Sequence, residues 1–299
     1  MNSFAAIKNV LKRRGYWMKA LGAFFGILGV ALTASEFVQN FFPNFELKPW
    51  YLLPVAAVIA LIALIYVWPR KMSFKMGRRS NIELVVGDLL TAIDDPSTDV
   101  VVGTSRTFVT DPRSISKTSI QGQVTERFFN SAESLDQKIQ KSIDKRRSIG
   151  TCDESEVGVY APGTIALAEP EKGDVKHSEA TRVGESNKFI FLAYTQQLSE
   201  GTDFLAAIDD VWVALSELWK FARRQRDTTI AMPVIATANA GLDKVMSTED
   251  AIRLIVLSYV LNERSHAGGL PPLQIYILQE SFDELNRVQI EDYIDAFSV

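Results

Sequence analysis

Two long apolar runs open the chain, and a pattern of shorter runs takes over after residue 80. Met18 to Val38 is dominated by Leu, Phe, Gly, Ala, Ile and Val, interrupted by Lys19 near its start and Glu36 near its end. At about 1.5 Å per residue such a run crosses a hydrocarbon core of about 30 Å. Trp50 to Trp68 has no charged residue, carries Trp50, Tyr51, Tyr66 and Trp68 at its ends, and is closed by Pro69. Rings of this kind suit the two membrane interfaces. The link from Gln39 to Pro49 is short and holds two prolines, so residues 18–69 are expected to form a transmembrane helical hairpin with spans at about 18–38 and 50–68. Residues 1–17 read as a basic amphipathic segment, with Phe4, Ile7, Val10 and Leu11 set against Lys8, Lys12 and Arg13, suited to the inner leaflet. Gly22 and Gly26 make a GxxxG pair, with Gly29 and Thr33 near the same face. That face permits close packing within the hairpin or between copies of the chain.

A basic linker, residues 70–80, leads to strand candidates at Ile82–Val86, Asp99–Val102, Thr164–Ala168, Lys188–Ala193, Thr229–Ala236 and Leu273–Leu278. Helical periodicity marks Gln123–Ile143, Asp203–Arg226 and Thr248–Arg264. In the second of these, Phe204, Leu205, Ile208, Val211, Trp212, Leu215, Leu218 and Trp219 form one apolar stripe opposite Asp209, Asp210, Glu217 and Lys220. The stripe and its tryptophans belong to a core. Ser247 followed by Asp250 resembles a capping box at the start of the third helix. Alternation of strands and helices across residues 81–299 predicts an α/β fold, a three-layer α/β/α domain on a mixed, largely parallel sheet.

Charge divides the chain at the same place. Residues 1–80 carry 11 basic and 2 acidic side chains, a net of +9, whereas residues 81–299 carry a net of −13. A basic excess that coincides with apolar runs points to the lipid bilayer as partner and not to nucleic acid. Lys8, Lys12, Arg13, Arg14 and Lys19 precede the first span and Arg70, Lys71, Lys75, Arg78 and Arg79 follow the second, while the loop has only Lys48, balanced by Glu46. Both termini are therefore expected in the cytoplasm. A cleaved signal peptide accounts for the first run but not the second, and no small-x-small cleavage site follows. A buried soluble hairpin does not call for a charge-free run of this length. With one cysteine, Cys152, and two histidines, His177 and His266, the sequence offers neither an internal disulfide nor a zinc ligand set, so no metal cofactor is expected. Cys152 and His177 fall in polar segments and His266 just before a Gly-Gly-Leu-Pro-Pro turn, and all three read as solvated.

Ligands of open α/β sheets bind beyond the carboxyl ends of the strands. Three segments occupy such positions. Gly87-Asp88-Leu89 follows the first strand, where a carboxylate can accept from an exocyclic amine. Gly103-Thr104-Ser105-Arg106 ends the second and leads to Lys117 and Gly122 at a helix start. Thr237-Ala238-Asn239-Ala240-Gly241-Leu242 follows the strand at 229–236, with small residues whose amides can cradle a diphosphate.

The order of these segments resembles the macro domain, a family that binds ADP-ribose and its derivatives. Gly87-Asp88-Leu89 is similar to the family's Gly-Asp-Ile, Ser119-Ile120-Gln121-Gly122-Gln123-Val124 to the Gly-Val-x-Gly-x-Ile stretch beside the diphosphate, and Pro162 to Ala168 to its third strand. Ile230 to Leu242 resembles its later strand and phosphate loop. The resemblance implies adenine recognition by Asp88 and Leu89, diphosphate binding by Gly122 and the amides of Asn239, Ala240 and Gly241, and contact of Arg106 or Lys117 with the distal end. Hydrolase members carry Asn-Ala-Ala-Asn where this chain has Gly103-Thr104-Ser105-Arg106, and Lys117-Thr118-Ser119 stands where the glycine run precedes the helix. The departures imply a binding site without hydrolytic machinery.

Two spans ahead of a divergent macro domain resemble the effector subunit of type II Thoeris anti-phage systems. That resemblance implies a bacterial inner-membrane sensor that is not an enzyme. It would bind an ADP-ribose-derived signal made by a TIR-domain enzyme, oligomerise and compromise the membrane. Two other readings stay open: a membrane-tethered ADP-ribosyl hydrolase, with Asp111 and Glu126 as the carboxylates near the second loop, and a non-catalytic membrane-anchored interaction protein.

Overall fold

The computed structural model describes residues 71–75, 80–148, 154–156, 158–170, 188–197, 204–225, 228–235, 241–242, 245–266 and 269–297. They belong almost entirely to one compact unit, Lys71–Leu285 with Gln289–Val299. The expected amphipathic segment and transmembrane hairpin, residues 70 and 76–79 of the basic linker, Cys152 and His177 lie outside the described residues, whereas Lys71–Lys75 of that expected linker is a strand paired antiparallel with Asn81–Val86. Among the described residues no helix is long and apolar enough to cross a membrane.

In chain order the strands are β1 (Lys71–Lys75), β2 (Asn81–Val86), β3 (Thr98–Ser105), β4 (Glu154–Glu156), β5 (Val159–Tyr160), β6 (Ile165–Ala168), β7 (Phe189–Gln197), β8 (Phe204–Ala206), β9 (Thr229–Pro233) and β10 (Leu273–Ile277). The helices are α1 (Ile120–Phe128), α2 (Ala132–Ser148), α3 (Ile208–Ala222), α4 (Thr248–Ser265), α5 (Gln279–Glu284) and α6 (Arg287–Asp295), with a 3₁₀ helix over Leu89–Asp94. The main sheet runs β1-β2-β10-β9-β3-β7-β6, with β8 also on β7, while β4 and β5 pair separately. From β2 to β7 every neighbouring pair is parallel, and β1, β6 and β8 are antiparallel.

A parallel sheet covered on both faces demands strands that are apolar on both sides. β3 and β7 meet that demand. Val100 and Val102 enter one core with Phe189, Phe191 and Ala193, under Val124, Leu135 and Ile139 of α1 and α2. Val101 enters the other with Ile190, Leu192 and Tyr194, against Leu215, Trp219, Ile255 and Tyr259 of α3 and α4. The layers are α/β/α and the sheet is mixed and largely parallel, as the alternation of elements predicts. Trp219 is wholly buried, donates its indole N–H to Ser258 Oγ at 2.9 Å and stands edge-on to Tyr259, so this part of the apolar stripe is core, whereas Trp212 is only partly buried and Leu205 and Ile208 are exposed. Ser247 Oγ accepts from the Asp250 amide at 3.1 Å and caps α4.

Two expected helices differ from the sequence reading. The run Gln123–Ile143 is two helices, broken at Phe129 to Ser131. Phe128 and Phe129 both pack on Phe189, at 5.0 and 5.9 Å between ring centroids, and the chain turns so that both rings are buried. Ser131 Oγ then accepts from the Ser134 amide, a local start signal for α2. The run Asp203–Arg226 contains a strand before its helix. Phe204 and Leu205 pair with Gln197 and Gln196 across β7, and Leu205 is 46% exposed, so the apolar face of α3 begins only at Val211.

Candidate functional site

The parallel run β2-β10-β9-β3 sets the carboxyl ends of these strands along one sheet edge. Gly87-Asp88 follows β2, Arg106 follows β3, and Val234 leads out of β9 toward Gly241 and Leu242. Three segments far apart in sequence thus leave the sheet at one edge, the place where α/β sheets bind ligands.

Asp88 caps the 3₁₀ helix, its Oδ1 accepting from the Leu90 amide at 3.0 Å. Its Oδ2 takes Nη1 of Arg127, also at 3.0 Å. Leu89 is 5% exposed and packs with Leu90 and Ile93 into the core beneath, so only its backbone remains for a ligand.

At the end of β3 the backbone turns sharply. Gly103 lies against the ring of Tyr194, where a Cβ would collide with the phenol oxygen. Thr104 is buried and its Oγ1 has no hydrogen-bond partner. Ser105 Oγ accepts from the Val109 amide at 3.1 Å and lies 3.0 Å from Thr107 Oγ1. Inside this turn Phe108 adopts φ +50° with its amide donating to the Ser105 carbonyl, a conformation that costs a bulky residue about 1–2 kcal/mol. Burial of its ring edge-on to Tyr160 offsets that cost. Arg106 is stitched on both sides: its amide donates to the Thr195 carbonyl, its Nε to the Tyr160 carbonyl at 2.8 Å, and its own carbonyl accepts from the Tyr160 amide. The residue expected at the ligand's distal end therefore also fastens the loop to β5 and β7.

Lys117 is exposed in the turn before α1. Ser119 caps that helix, accepting from the Gly122 amide at 3.0 Å. The Gly122 amide expected to face a diphosphate is thus engaged by the cap. The glycine is required instead because a Cβ would strike the Ser116 carbonyl oxygen. Gln121 Nε2 donates to the Val109 carbonyl at 2.7 Å and ties the helix to the loop after β3. In the third segment Gly241 sits at φ +70° beside Leu205, and Leu242 is 4% exposed within the core, which leaves its side chain no ligand role. Thr237, Ala238, Asn239 and Ala240 lie outside the described residues.

Two residues at this edge escaped the sequence reading. Arg127 reaches Asp88 from the last turn of α1, a pairing no local spacing signals. Leu278, read as the end of a strand, is the 66% exposed residue after β10, beside Gly87, whose amide donates to the Ile277 carbonyl. An apolar residue one step beyond a buried strand end was its only signal. Asp111 is partly exposed and held below the usual carboxylate range by hydrogen bonds from Arg113. Among the described residues no three His, Cys, Asp or Glu side chains form a metal site.

Residues 82–271 match the macro-domain family described as "Thoeris protein ThsA, Macro domain", and the chain belongs to that family. A search of curated proteins finds no match. Among solved structures, an Oceanobacillus iheyensis macrodomain with ADPR is 11% identical, with 76% of this chain and 99% of that chain covered and a TM-score of 0.48. The same organism's macrodomain with ADP gives 10% identity, 76% and 97% coverage and 0.48. A Trypanosoma brucei macrodomain in complex with ADP gives 12%, 68% and 67%, and 0.39. Membership rests on the family match over residues 82–271.

Proposed function

We propose that this chain is a membrane-anchored sensor and effector of bacterial anti-phage defence, whose divergent macro domain binds an ADP-ribose-derived nucleotide and whose N-terminal spans then assemble to compromise the inner membrane. The observation that carries the reading is that β2, β3 and β9 present their carboxyl ends at one sheet edge in a chain of the ThsA macro family. In this reading Asp88 accepts from the adenine amine and exposed Leu278 offers an apolar surface to the base. The diphosphate sits over the segment 237–241, and Arg106 and Lys117 meet the distal sugar or its substituent. The apolar runs at 18–38 and 50–68 and the net charge of +9 over residues 1–80 support anchoring in the bilayer.

The same residues favour binding over hydrolysis. A general base must be able to accept a proton near neutral pH. Asp111 is instead paired with Arg113, whose hydrogen bonds lower its affinity for a proton. A sensor must also bind its signal more tightly in the assembled state than in the resting one, since equal affinity shifts no population.

Co-expression with an NAD-consuming TIR-domain enzyme in bacteria, following membrane potential, tests the proposal. Depolarisation is expected only when both proteins are present, and Asp88→Ala is expected to abolish it. Depolarisation without the TIR enzyme, or none with it, would count against ligand-gated action. Release of ADP-ribose from a modified substrate by the purified chain would favour the hydrolase.

A further inference from the structure

The Asp88 carboxylate is gripped from two directions. One grip is local, the Leu90 amide on Oδ1. The other comes from 39 residues away, the Arg127 guanidinium on Oδ2. The local hydrogen bond alone leaves the carboxylate free to swing about its own side-chain torsion, whereas a second donor on a separate element fixes the plane of the group. Each carboxylate oxygen can accept two hydrogen bonds, so one acceptor position per oxygen remains.

The base of Arg127 is firmly held. α1 is capped by Ser119, tied to the preceding loop through Gln121 and anchored by buried Val124 and Phe128, in the same core as Leu89 and Leu90. The ion pair itself is half exposed, at 50% and 45% for the two side chains. Exposed pairs contribute little to folding, so an effect of this residue is to be sought in recognition.

Resting on the nucleotide-site reading above, we propose that Arg127 is a positioning residue that sets base specificity. It aims the Asp88 carboxylate as a fixed acceptor toward the 6-position of a purine, so that a 6-amino base is bound and a 6-oxo base is rejected. Adenine presents an N–H donor at that position, and hypoxanthine and guanine present a carbonyl oxygen. A carboxylate is acceptor-only, so it bonds the first and repels the second. The discrimination is sharp only while the acceptor cannot turn away from the wrong base.

The test titrates the full-length chain in detergent micelles with ADP-ribose and with its hypoxanthine counterpart. The unaltered chain is expected to prefer ADP-ribose. In Arg127→Met its affinity for ADP-ribose is expected to fall about three- to fivefold, the range an exposed ion pair can supply. The hypoxanthine compound should lose less, so the preference narrows. Arg127→Lys, which restores one cationic donor, is expected to recover part of the preference. Thermal midpoints of all three chains should agree. An unchanged preference, or tighter ADP-ribose binding, in Arg127→Met overturns the proposal. If Asp88→Ala abolishes binding while Arg127→Met is inert, only the role of Arg127 falls. If the unaltered chain binds neither compound, the nucleotide-site reading falls and this inference with it.

Discussion

Gly103 of β3 lies against the ring of Tyr194 of β7 so closely that no other residue fits without moving the phenol. Both strands are parallel neighbours, and the contact sits just before the turn that carries Arg106. The glycine at this position therefore serves packing inside the sheet, where the loop reading had placed it for a ligand.

Gly103→Ala is expected to destabilise the fold by about 1–3 kcal/mol, the usual cost of overpacking a closed core. In a Tyr194→Ala background the same substitution should cost much less, because the colliding ring is gone. Equilibrium unfolding of the four chains of this double-mutant cycle measures the coupling. Additive effects would show that Tyr194 is not the constraint.

Asp99, the second residue of β3, lies at the opposite sheet edge, is 1% exposed and accepts from the Lys188 amide at 3.1 Å. Burial pushes its carboxyl up from 3.8 to about 6, opposed in part by that hydrogen bond. Between these two values the folded chain binds more protons than the unfolded one. Stability contributed by this group is thus full below about pH 4, falls as pH rises toward 6 and is flat beyond. Asp99→Asn keeps an acceptor for the Lys188 amide and removes the charge. Its thermal midpoint should exceed that of the unaltered chain at pH 7 and converge with it at pH 4. A lower midpoint at pH 7 would refute the assignment.

Thr104 buries a hydroxyl with no partner. Thr104→Val replaces it with a methyl group of similar shape and is expected to be neutral or stabilising by about 1 kcal/mol. Denaturant unfolding reads this directly. A clear loss of stability would mean that the hydroxyl is bonded in solution.

The opposite outcome is expected at Ser258, where Oγ both accepts from Trp219 Nε1 and donates to the Ile255 carbonyl. Ser258→Ala strands the indole N–H in a closed core and should cost about 1–3 kcal/mol. It should also shift the emission of Trp219. Unchanged emission with unchanged stability would sink this prediction.

Much of the fold was legible because buried parallel strands and amphipathic helices leave strong patterns. The valines of β3 and the apolar run of β7 marked central strands, and Ser247 marked the start of α4. The two failures are of different kinds. Gln123–Ile143 read as one helix although Asn130-Ser131 interrupts it, and Phe128 and Phe129 both turn onto Phe189; Phe204-Leu205 read as part of α3 because no polar break separates them from it, and pairing with β7 decided otherwise.

The candidate site divides in the same way. The sequence by itself determined which loops carry Gly87-Asp88, the turn at Arg106 and the glycine-containing stretch ending at Gly241, because turn residues and strand ends are local properties. Tertiary structure decided that the strands leading into these loops end at one sheet edge. It also decided that Leu89 and Leu242 point into cores, that the Gly122 amide belongs to a helix cap, and that Arg127 grips Asp88. A residue's backbone preference is written in its neighbours, but what its side chain touches depends on strands and helices brought alongside from elsewhere in the chain.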